Sequence, residues 1–224
     1  MNTNAQPEGL PRAVPRASLP ALLASLYLRP SRLFADLTPL KAKPQWIIVA
    51  WICGVSAAID RADKVMIKSD LTGREASAMP LDSWASFWPF ILIVGALYAP
   101  LVWLIGGWWY RLRLKWAGDA NAEPFSARIV YTYTNLIAAL PSLLVTVAYT
   151  FIYENYRASW TSEEAWSSLL IVFIVWDVVA SYKGVRTAFA VSKWKARLWF
   201  LILPLGLYAV VAVVIGGIYA MQES

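Results

Sequence analysis

The chain is 224 residues long, 59% hydrophobic and only 15% charged, with a formal charge of +6. A soluble domain carries ~25% charged residues, so this balance excludes one. There is no histidine and a single cysteine, Cys53, which removes His-based acid–base chemistry, the common zinc sites and any disulfide framework.

The first 17 residues, MNTNAQPEGLPRAVPRA, are polar and rich in proline and predict a disordered tail. Residues 18–43 come next. Leu19, Leu22, Leu23 and Leu26 recur at helical spacing, and Leu33, Phe34 and Leu37 do the same after Pro30. With Arg29 and Arg32 beside them, they predict a cytoplasmic amphipathic segment in the membrane interface, with Ser31 capping its second short helix. The same stripe equally suits a helix docked on the rest of the protein.

Residues 44–224 predict an all-α polytopic membrane protein, a bundle of five transmembrane helices. The apolar blocks run over roughly Pro44–Asp60, Trp84–Trp109, Ala127–Tyr153, Ala165–Lys183 and Leu198–Met221, close to the ~20 residues that cross ~30 Å of hydrocarbon. Runs this continuous exclude a porin-like barrel, whose strands would alternate. Cys53 falls inside the first block and reads as a small core residue. Ten of the thirteen tryptophans lie at or just beyond block ends, which predicts an aromatic belt rather than a cofactor cage.

The basic residues set the orientation. Fifteen of the twenty fall before the first block, after the second, or between the fourth and fifth, where Lys193, Lys195 and Arg197 stand. The other set of loops holds five, outnumbered by acids. The positive-inside rule then places the N-terminus in the cytoplasm and the C-terminus outside. The net charge is a topology signal facing anionic lipid, and no nucleic-acid partner is implied.

One residue breaks the fourth block. Asp177 interrupts LLIVFIVWDVVAS, and a carboxylate at such depth faces a bundle interior or a water-filled cavity. Tyr131 and Asn135 share a face of the third helix, as Asp177 and Ser181 share a face of the fourth, and the two pairs lie at matched depth. A polar layer of Asp177, Asn135, Tyr131 and Ser181 is expected where these helices pack. It reads as a hydrogen-bonded structural joint, as a proton or cation site, or as a carboxylate that merely snorkels. No phosphate loop, nucleophile elbow, catalytic residue, metal site or cofactor site is found.

The order of these parts has a precedent. YLRPSRLFADL stands before the first span, LPSLL at 140–144 follows the tyrosine-rich start of the third, and GVRTAFAVSKWKA at 184–196 joins the last two. This resembles the Yip family (Yip-one domain, Ypt/Rab-interacting proteins), in its bacterial branch. The resemblance implies a five-span, non-enzymatic integral membrane protein with a cytoplasmic N-terminus. The functional expectation is a membrane scaffold or adaptor with a membrane or cytoplasmic protein as partner, homo-oligomerisation being left open. The alternative is a small permease or ion-coupled transporter working around Asp177.

Overall fold

The computed structural model describes residues 19–42, 44–73, 79–162 and 166–222, and all regular structure within them is helical. The expected disordered tail at 1–17 lies outside the described residues. Three short helices lead in: α1 (Leu19–Leu28), α2 (Pro30–Ala35) and α3 (Thr38–Ala42). Next come α4 (Gln45–Thr72) and α5 (Trp84–Leu101), which passes through a π-helical turn, Val102–Gly106, into α6 (Gly107–Trp116). Then follow α7 (Pro124–Ile152), the short α8 (Tyr156–Trp160) and α9 (Trp166–Ala188). Last, α10 (Lys193–Arg197) runs through a second π-helical turn, Leu198–Ile202, into α11 (Leu203–Gln222).

Among the described residues, four helical stretches are long and apolar enough to cross a membrane: Gln45–Thr72, Trp84–Trp116, Pro124–Ile152 and Lys193–Val214. They outrun the apolar blocks. α4 continues well past Asp60 because Ile59, Ala62 and Met66 keep a buried stripe against Leu81, Phe87 and Ile91. Its polar face carries a Lys64–Asp60 ion pair one turn apart, at 2.6 Å. Likewise Arg111, Arg113 and Lys115, expected in a loop after the second block, stand on the helix α6.

α4 and α5 cross where two glycines meet. A Cβ on Gly54 would stand 2.3 Å from the Gly95 carbonyl oxygen, and one on Gly95 would stand 2.6 Å from a Val55 methyl. Only hydrogen at both positions allows this approach.

Part of the lead-in segment's apolar stripe turns inward, onto the protein itself. Leu26 and Phe34 are fully buried and Leu22 nearly so, inside the same core as α7 and α9. Contacts climb α7 in order: Lys41 pairs with Glu123, Phe34 lies near Val130 and Gly184, and Tyr27 reaches Ile137. From Glu123 to Ile137 is 14 positions, ~21 Å of helix rise. Leu28, Arg29 and Arg32 stay exposed on the opposite side. Ser31 caps nothing. α2 begins at Pro30, whose fixed φ suits the first helical position, and Arg29 is the cap residue.

α7 is the axis of the bundle, packing on α4, α6 and α9, while α2 lies along α9. α11 is the contrast: its described side chains from Gly206 to Val214 are exposed.

Candidate intramembrane polar site

Between α6, α7, α9 and the start of α11 lies a cavity of about 180 Å³. Its polar lining is Tyr110, Arg113, Tyr131, Thr134, Asn135, Asp177, Ser181 and Tyr208, with Val178, Phe200 and Pro204 as apolar wall. Helical periodicity brings these groups together. Tyr131 and Asn135 are one turn apart on α7, with Asn135 seated against the Tyr131 hydroxyl. Asp177 and Ser181 are one turn apart on α9. Gly106 clears the way, since a Cβ there would strike the Tyr131 ring at 2.2 Å.

Asp177, Asn135, Tyr131 and Ser181 thus face one space, but Asp177 is not their hydrogen-bonded hub. Among the described residues its carboxylate makes no hydrogen bond and no ion pair. Ser181 pairs instead with Tyr110, the two hydroxyl oxygens 3.0 Å apart. Of the tyrosines in YTYTN, Tyr131 faces the cavity, whereas Tyr133 is buried elsewhere and its hydroxyl finds no partner among the described residues.

The group that sequence reasoning misses is Arg113. Its guanidinium lies over the Phe200 ring, 4.3 Å from the centroid, and interacts electrostatically with Asp177 across the cavity. Its Nε donates to the Trp199 carbonyl at 3.1 Å, and Nη2 donates to the same oxygen. The reason lies in the π-helical turn. There Leu203 N–H bonds back five residues to Leu198, so the Trp199 carbonyl would look to residue 204. That residue is Pro204, which has no N–H. Arg113 satisfies the oxygen that proline orphans. The available signal was Pro204 itself, read together with an arginine near the C-terminal end of the Trp84–Trp116 stretch.

The basic residues singled out from sequence lie at the surface. Lys193, Lys195 and Arg197 are exposed on α10, and Arg29 and Arg32 are exposed between and on α1 and α2. The connections at this end are pinned: Ser192 N–H donates to Ala117 at 3.0 Å, and Ala190 N–H donates to the Asp119 carboxylate at 3.2 Å. Outside the helical spans, Lys41 and Ser126 hold the Glu123 carboxyl below the usual carboxylate range.

A second cavity, of about 270 Å³, lies near the other end of α7 and is lined by Asp63, Ser142, Thr146, Tyr156 and Ser159 among others. There the Tyr156 hydroxyl donates to Asp63.

The lead-in helices from residue 24 onward, the polar start of α7, its LPSLL stretch and the basic link between α9 and α10 all fall within one matched region. The model of the Yip1 domain matches residues 24–215. The chain belongs to the Yip1 family. Its several membrane-length helices agree with a multi-pass transmembrane member of that family. No curated protein and no solved structure matches the chain.

Proposed function

We propose that this Yip1-domain protein is a non-enzymatic membrane scaffold or adaptor of the bacterial inner membrane, with five crossings, the N-terminus cytoplasmic and the C-terminus periplasmic. α9 is the fourth of those crossings: it is 23 residues long and carries the apolar run LLIVFIV. One observation carries the reading. Lys115, Arg186, Lys193, Lys195 and Arg197 are all exposed around the end where the 117–123 and 188–192 connections are tied together. A fixed basic surface of this kind suits an acidic segment of a membrane or cytoplasmic partner, alongside anionic lipid.

The transporter alternative has less support. The Arg113 guanidinium faces the same cavity as Asp177 and repels a second cation there. Crosslinking from native membranes tests the adaptor reading. A specific partner should be captured by the parent protein and lost when Lys193 and Lys195 are both changed to Glu. Capture unaffected by that reversal would remove the basic end as the docking surface.

A further inference from the structure

The inner cavity holds an arrangement that neither the adaptor reading nor the family assignment uses. One carboxylate and one guanidinium face the same space of about 180 Å³. They feel each other electrostatically without forming an ion pair. Arg113 is held in place by the Trp199 carbonyl and the Phe200 ring, through Nε and Nη2. A guanidinium has five N–H donors, so others remain available. Asp177 has no hydrogen-bond donor of its own among the described residues.

Each charge excludes a simple ion of the kind the other attracts. A lone cation meets Arg113, and a lone anion meets Asp177. A ligand carrying both charges satisfies both walls. The third wall indicates where such a ligand comes from. Pro204 and Tyr208 belong to α11, Tyr208 is 49% exposed, and Leu207 and Val211 continue an exposed apolar flank beside it. The cavity therefore opens beside a surface suited to acyl chains.

We propose that this cavity receives the headgroup of a zwitterionic phospholipid with a primary ammonium, of the phosphatidylethanolamine class. Arg113 takes the phosphate, for which its fork geometry is suited. Asp177 takes the ammonium, whose three N–H donors supply the hydrogen bonds its carboxylate lacks. The acyl chains lie along the Leu207–Val211 flank of α11.

The test uses the full chain in vesicles of equal phosphatidylethanolamine, phosphatidylglycerol and phosphatidylcholine, released into mild detergent, with retained lipid counted by native mass spectrometry. A charge-assisted hydrogen bond to the ammonium corresponds to about tenfold in affinity. Phosphatidylethanolamine should therefore be retained about tenfold over either competitor, and Asp177→Asn should level it with phosphatidylglycerol. Successive N-methylation of the headgroup tests the same contact without any substitution, and retention should fall at each step. Equal retention of the three lipids by the parent protein, or a methylation series with no trend, overturns the proposal. Displacement of the lipid by soluble glycerophosphoethanolamine at matched concentration would assign the site to a free solute and overturn the lipid as occupant.

Discussion

The Tyr27 hydroxyl donates to the Ile137 carbonyl oxygen at 3.0 Å, across 110 positions of sequence. The cause is four residues further along α7. Pro141 has no N–H, so the helix leaves Ile137 without its usual donor. Arg113 does the same for Trp199 where Pro204 removes the donor. In hydrocarbon an unpaired carbonyl costs several kcal/mol, so each proline has made a socket that a distant side chain fills.

Tyr27→Phe should therefore lower stability in detergent by about 1–3 kcal/mol, the range for leaving a buried acceptor unsatisfied. In a Pro141→Ala background, where the amide donor is restored, the same change should cost much less. Thermal melts of the four proteins of this cycle provide the check, and equal costs in both backgrounds would refute the socket.

Gly95→Ala should destabilise by about 1–3 kcal/mol, because the added methyl meets Val55 backbone and side chain inside 3 Å. Gly206→Ala has open space around its new Cβ and should be neutral or slightly stabilising. Urea or thermal unfolding of the two variants side by side tests this.

A periplasm-dependent reporter fused after Glu223 should be active, and one fused after Lys195 should be silent, given that fifteen of twenty basic residues lie on one set of connections, the set that the positive-inside rule assigns to the cytoplasm. The opposite pattern would invert the orientation.

The Lys41–Glu123 contact should be felt only above acidic pH. Glu123 is held below the usual carboxylate range by Lys41 and Ser126. Its contribution is present above the ordinary Glu value of about 4.3 and is lost as pH falls through the depressed one. Lys41→Gln should therefore melt slightly lower than the parent at pH 7, and the two curves should converge under acid. Both partners are partly exposed, so the gap should be small.

Much of this was legible in the sequence. Helical class, the places of the membrane-length helices and the shared location of Asp177, Asn135, Tyr131 and Ser181 all follow from a period of 3.6 residues acting on apolar blocks. Helix ends were not legible, because Met66 and Arg113 extend their helices through packing that only tertiary structure reveals. The fate of the Leu22, Leu26 and Phe34 stripe was open for a related reason. An apolar stripe specifies that it will be covered, not by what. Arg113 was hidden because charge counting treats every arginine near a span end alike, whereas its role depends on a proline about ninety positions away.

Tyr27 also bears on how the chain is made. Its hydroxyl needs α7, and its backbone carbonyl accepts from Trp176 Nε1 at 2.9 Å, 149 positions downstream. At ~5–20 residues per second, a ribosome delivers that second partner roughly 7–30 s after Tyr27 itself. Through that interval the leucines of α1 and α2 have left the ribosome without their final partners. This early segment is seated late, and biogenesis must shield it until the fourth long helix to be made, α9, arrives.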